Sequence, residues 1–139
     1  ATGTSPFSLS AHAGKTVVLY FYPKDSTPGC TTEAQQFRDL HADFLAAGCV
    51  LAGVSRDSLR SHENFKTKQA LPFELISDTD ETLCQRFGVI KEKKLYGKLV
   101  RGIERSTFVI DAHGILRREW RGIKVPGHAQ EVLDYVRTL

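Results

Sequence analysis

The chain has 139 residues, 41% hydrophobic and 25% charged, enough to bury a core as one domain over 1–139 without crosslinks or a structural metal. Nineteen basic against sixteen acidic side chains give a net charge of +3, spread along the sequence without a long single-sign block. Nucleic-acid binding, which needs charge clustered on one face, is therefore not expected. Nor is a membrane role, since no apolar run approaches the roughly 20 residues of a bilayer span and Ala1–Ser10 lacks the basic flank and apolar centre of a secretory signal.

Val17–Tyr22 is β-branched and aromatic, too short for a helix and bounded by Gly14-Lys15 and Pro23, and reads as a buried strand. From Pro28 onward Ala34, Phe37, Leu40, Phe44 and Leu45 recur at helical steps, and Gly48 closes the run. Cys49–Ser55 is a second apolar strand. A polar helix follows over Ser58–Gln69, carrying Leu59 and Phe65, then a short strand at Glu74–Ile76 and a two-turn helix, Asp80–Phe87, for which Ser77-Asp78-Thr79 offers caps. Strands alternating with helices indicate a parallel sheet. Val89–Gly102 is less regular and reads as a loop, with Lys91–Lys94 as a solvated basic cluster. Ser106–Ile110 and Ile115–Trp120, joined by the Asp111–Gly114 turn, form a hairpin, and a helix over His128–Leu139 buries Val132, Leu133 and Val136. This element order is that of an α/β, thioredoxin-like fold: a central mixed sheet flanked by helices.

Three cysteines cannot all pair internally, and a chain of this size needs no staples, so reduced thiols in a cytoplasmic setting are expected. Cys30 occupies a particular place. Thr27-Pro28 marks a helix start, threonine as cap and proline in the first helical position, which puts Cys30 third, inside the first turn. Helix dipole and unpaired N–H groups favour an anion there, and thiols at helix N-termini ionise more readily than the ordinary thiol near pKa ~8.5. A small residue packed at a helix end would fit the same position. The neighbours favour the nucleophile: the site lies at the carboxyl end of a parallel strand, with a hydroxyl, Thr27, three residues before the thiol and a rigid Pro23 seven before. Spacing excludes several thiol chemistries. Glu33 stands where a disulfide reductase needs its second cysteine, Gln36 where a cysteine phosphatase needs arginine, and the next cysteine, Cys49, is too far for a zinc pair.

Pro23, Thr27 and Cys30 match the Pro-x-x-x-(Thr/Ser)-x-x-Cys signature of the peroxiredoxins, and the stretch FYPKDSTPGCTTEAQQFRD resembles their Q-type branch, the bacterioferritin comigratory proteins. The similarity continues through Gly53-Val54-Ser55, Ser77-Asp78, Phe87-Gly88-Val89, Tyr96-Gly97-Lys98 and Arg105–Asp111. The resemblance implies a thioredoxin-like fold, reduction of hydrogen peroxide and organic hydroperoxides without metal, haem or flavin, and a monomer. It also implies that Cys30 is the peroxidatic cysteine, that Thr27 orients the peroxide, that Pro23 shields the site and that Arg105 is the arginine beside the thiolate. Taken alone, Arg105 reads first as a strand-edge charge. Glu33 is either a first-turn acid facing the dipole or a partner for an arginine. The five histidines, His12, His41, His62, His113 and His128, sit in no motif and read as surface or turn residues.

The branch pattern breaks after the first oxidation. Many relatives carry a resolving cysteine five residues beyond the peroxidatic one, where this chain has Gln35, and others about 36 residues beyond, where it has Lys66. Cys49 reads as packing, and Cys84 is a candidate resolver if local unwinding closes the gap to disulfide distance. The favoured expectation is one-cysteine turnover, with thioredoxin, glutaredoxin or a small thiol attacking the sulfenic acid. A thioredoxin-fold redox sensor that signals through mixed disulfides with partners is the alternative.

Overall fold

The computed structural model describes residues 14–139, without the side chains of residues 93–95 and 100. In chain order the elements are β1 (Thr16–Phe21), α1 (Pro28–Ala46), β2 (Cys49–Ser55), α2 (Leu59–Gln69), β3 (Glu74–Ser77), α3 (Thr82–Arg86), β4 (Ile90–Leu95), β5 (Lys98–Ile103), β6 (Ser106–Ile110), β7 (Leu116–Arg121) and α4 (His128–Val136). Five strands form one sheet in the order β3-β2-β1-β6-β7, with β1, β2 and β3 parallel and β6 and β7 antiparallel. This is the mixed sheet flanked by helices that the sequence implied. No helix among the described residues is long and apolar enough to cross a membrane.

β1 lies at the centre of the sheet, and its alternation divides the interior in two. Val18, Tyr20 and Tyr22 point to one face and pack with Phe37 and Phe44 of α1, Phe65 of α2 and Val132, Leu133 and Val136 of α4. Val17, Leu19 and Phe21 point to the other and pack with Cys84, Val89, Ile103 and Phe108. A strand covered on both faces must be apolar throughout, which accounts for the unbroken run that opens the described chain. Tyr20 stacks on Phe37 at 4.6 Å between ring centroids. Its ring leaves no room beneath it: a Cβ at residue 53 would lie 2.8 Å from Tyr20 Cζ and 2.9 Å from Leu75 Cδ2, so only glycine lets β2 pass.

Several expectations are corrected. Residues 90–103 are not a loop but a two-stranded hairpin, β4 with β5, turning at Tyr96-Gly97, where both residues have positive φ; the alternating charges hid its strand character. Leu45 and Leu59 are exposed, because each lies beyond the stripe its helix turns inward. The α3 helix keeps only Thr82–Arg86 of the two turns expected. Most consequential, His62 and His128 are buried. His128 opens α4 edge-on to Trp120 and within hydrogen-bonding distance of Thr107 Oγ1 (2.8 Å), and His62 belongs to a polar network described below. His113 lies exposed in the β6–β7 turn, His41 is half-buried, and His12 falls outside the described residues.

Candidate active site

β1 ends at Phe21, and six residues, Tyr22–Thr27, carry the chain to the first turn of α1. Ser26 turns this loop with φ +62, a left-handed conformation costly for a side chain with a Cβ and held only when its surroundings fix it. Pro28 takes the first helical position and Cys30 the third, as the sequence indicates. Thr27 is the N-cap by backbone only. Its hydroxyl makes no capping bond and instead donates to the Lys24 carbonyl at 2.8 Å, a correction to its reading as a side-chain cap. Pro23 is exposed, Thr27 half-buried, and Cys30 is 1% exposed.

Arg105, in the connection just before β6, reaches across to this turn. Its Nη2 donates to Cys30 Sγ at 3.3 Å and its Nη1 to Glu33 Oε1 at 2.6 Å. The bare backbone of Gly29 makes room, since a Cβ there would meet Arg105 Nη2 at 3.2 Å. Glu33, one helical turn below Cys30, is therefore the arginine's partner, which resolves the two readings of that residue. Burial drives the Glu33 carboxyl up to about 7 against the pull of Arg105. Burial opposes the arginine's charge too, but Glu33 and Cys30 together outweigh it and hold its pKa above the ordinary value. Below them lies Tyr20, whose own pKa burial, Glu33 and Cys30 raise. A cation fixed at a sulfur in a site shielded from water stabilises a thiolate and can equally stabilise the oxygen that departs when the sulfur attacks an O–O bond.

The remaining thiols are placed differently. Cys49 is buried at the start of β2, where desolvation pushes its thiol up to about 11. Cys84 belongs to the apolar cluster on the opposite face of the sheet from Cys30, so the structure does not bring the two together. Burial and the adjoining Asp78 carboxylate raise the Cys84 thiol well above the usual range. Gln35 and Lys66 are also engaged: Gln35 Nε2 donates to Gln69 Oε1 at 3.0 Å, and Lys66 pairs with Glu74 at 3.6 Å.

A second polar cluster flanks the loop, and nothing in the sequence announced it, because its members come from residues 22, 25, 55, 57, 61 and 62. Asp25 is its centre. Its carboxylate accepts from Tyr22 Oη (2.6 Å) and Ser61 Oγ (2.9 Å) and lies 2.7 Å from His62 Nδ1, while its backbone N–H donates to Asp57 Oδ2 (2.8 Å). Among the described residues Asp25, Asp57 and His62 are the one group whose donor atoms lie close enough to hold a metal, within 4.8 Å of one another. Those atoms already serve hydrogen bonds within the protein.

The chain is similar over most of its length to proteins of known kind. Residues 1–119 match the AhpC/TSA family. The chain is 55% identical over 132 residues to Peroxiredoxin Bcp of Xanthomonas campestris, covering 95% of this chain and 82% of the relative. It is 51% identical over 131 residues to Peroxiredoxin Bcp of Bacillus subtilis, covering 94% and 83%. A solved structure of Xanthomonas campestris Peroxiredoxin Q superposes with a TM-score of 0.92 at 55% identity, over 95% of this chain and 84% of that one. A thiol fixed beside an arginine, on this fold and with these relatives, leaves one conclusion: the chain belongs to the AhpC/TSA family of peroxiredoxins and is a thiol peroxidase.

Proposed function

We propose that Cys30 is the peroxidatic cysteine, with Arg105, Thr27 and Pro23 as the residues that serve it. The observation that carries this reading is the Arg105 fork, one nitrogen on Cys30 Sγ and the other on Glu33. The Cys30 thiolate attacks the hydroxyl oxygen of a hydroperoxide, a sulfur–oxygen bond forms, the O–O bond breaks, and the departing alkoxide or hydroxide takes up a proton. The protein keeps a sulfenic acid and releases alcohol or water. Arg105 supplies charge to the thiolate before the step and to the departing oxygen during it. Thr27 presents its hydroxyl oxygen to the peroxide proton while its own hydrogen stays on Lys24 O, and Pro23 walls the site from solvent. The Xanthomonas campestris bacterioferritin comigratory protein, 54% identical to this chain, is a protein with alkyl peroxide reduction activity, which supports organic hydroperoxides beside hydrogen peroxide as substrates.

The sulfenic acid is reduced by a one-cysteine route. Thiols are missing at both family positions for a resolving cysteine, Gln35 and Lys66, and Cys84 is buried behind the sheet with Asp78 against it. An external thiol condenses with the sulfenic acid to give a mixed disulfide and water, and a second thiol displaces Cys30 as thiol. Thioredoxin, glutaredoxin or a small thiol fits that role, in a monomeric cytoplasmic enzyme of one domain. Intact mass after one equivalent of peroxide tests the route. Gain of one oxygen without loss of hydrogen supports it, and loss of two hydrogens, abolished in Cys84→Ser, would restore Cys84 as resolver. Steady consumption of peroxide by Cys30→Ser would remove Cys30 from the chemistry.

A further inference from the structure

The Asp25–His62 pair lies outside the machinery just described, yet it holds the loop on which that machinery depends. His62, on α2 with no exposed surface, has an acceptor at each ring nitrogen: the Ile76 carbonyl 2.9 Å from Nε2 and Asp25 Oδ2 2.7 Å from Nδ1. A carbonyl oxygen can only accept, so Nε2 carries a hydrogen. A contact of 2.7 Å between Nδ1 and a carboxylate oxygen likewise needs a proton between them, whichever atom holds it. Without it two lone pairs would face each other at hydrogen-bond distance in a site closed to water. The pair therefore shares one proton, and the ring is a rigid strut from β3 to the centre of the Pro23–Thr27 loop.

We propose that His62 is a positioning residue of the peroxidase, which through the proton shared with Asp25 sets the loop that carries Pro23 and Thr27 over Cys30. This rests on the reading of Cys30, Thr27 and Pro23 given above. Three observations support it. Asp25 is the loop's buried anchor, receiving Tyr22, Ser61 and His62 on its carboxylate and giving its N–H to Asp57. The next residue, Ser26, is held at φ +62, a conformation that relaxes unless its neighbours are fixed. The Thr27 hydroxyl is aimed by a carbonyl of the same loop, Lys24 O, so movement of the loop turns the hydroxyl away from the peroxide. Displacements of about 1 Å in such groups cost on the order of a hundredfold in rate.

The test measures the second-order rate of sulfenic acid formation by hydrogen peroxide in the reduced chain, alongside alkylation of Cys30 by iodoacetamide. His62→Gln and Asp25→Asn are each expected to slow oxidation by about 10- to 100-fold with alkylation no slower, since alkylation does not use Thr27. The double variant is expected to be no slower than the worse single, because the two act as one device. The groups facing the pair are Tyr22 just after β1, Asp57 from the turn after β2, and the hydroxyls of Ser55 and Ser61. Burial, with Tyr20 and Asp25 beside it, keeps the Tyr22 hydroxyl protonated well beyond its ordinary range, so it stays a donor to Asp25. An unchanged oxidation rate in His62→Gln, or additive losses in the double variant, would overturn the proposal. Should the variants not fold, nitrogen-15 spectra of the unaltered chain decide: a proton on Nε2 and another shared at Nδ1 support the strut, and a bare Nδ1 beside an ionised Asp25 sinks it. A chain that with Cys30 intact consumes no peroxide would defeat the peroxidase reading instead.

Discussion

Cys30 and Cys84 occupy the same local position, the third residue of a helix, and are opposite in character. In α1 the cap Thr27 keeps its side chain away from the helix end, and the charge brought to the sulfur is the Arg105 guanidinium. In α3 the Asp78 carboxylate takes the N–H of Leu83 at 3.0 Å and of Cys84 at 2.8 Å, the donors that would otherwise favour a thiolate, and sets a negative charge beside the thiol. The helices differ in reach as well, 19 residues against five, so the second has little dipole to offer. Two thiols at the same helix position thus meet side chains of opposite sign, a guanidinium at Cys30 and a carboxylate at Cys84.

The comparison can be broken first at its centre. Cys30→Ser is expected to abolish peroxide turnover while Cys84→Ser leaves it intact, measured by consumption of peroxide with a thiol reductant. Equal loss from both would erase the distinction. Next in size, Arg105→Ala is expected to slow sulfenic acid formation by about 10²- to 10³-fold, the worth of one fixed donor at a developing charge. Stopped-flow oxidation at matched pH reads it, and a rate within twofold of the parent would leave the helix terminus alone responsible.

Glu33 gives a pH signature that Asp78 cannot. Its carboxyl is raised from 4.5 to about 7 in the folded chain, so between these values the folded state binds the proton that the unfolded state has released. Stability from this group is full below pH 4.5 and lost as pH climbs to about 7, on the order of 3 kcal/mol across that interval. Glu33→Gln should flatten this stretch of a urea-denaturation series taken against pH, and an unchanged slope would mean that the carboxylate bears no burial penalty. Smallest is Asp78→Asn, which should cost about 1 kcal/mol through a weakened cap and speed alkylation of Cys84 only modestly. Burial, the larger cause of that thiol's upward shift, remains in place.

The neighbourhood of Cys30 was legible along the chain wherever its parts are close in sequence: the strand, the proline in the first helical turn, the hydroxyl three residues before the thiol. Such features follow from backbone propensities and periods that a short window contains. The β4–β5 hairpin was missed because four consecutive charged residues, Lys91–Lys94, fill its first strand and leave no apolar alternation to read there. His62 was misread for the converse reason, since nothing near it in sequence shows that Asp25 and the Ile76 carbonyl will close around its ring.

Short windows of sequence carry the alternation of strands and helices, the placement of Cys30 in the first turn of α1, and the family signature that runs from Pro23 to Cys30. Which charges meet which thiols is set by the packed fold. It put Arg105 on Cys30 across 75 positions of chain, Asp78 on Cys84, and the two cysteines on opposite faces of one sheet. Reactivity here is electrostatic and acts over a few ångströms, and which groups come within that range is set by the packing of β6 and α1 against β1, not by spacing along the chain.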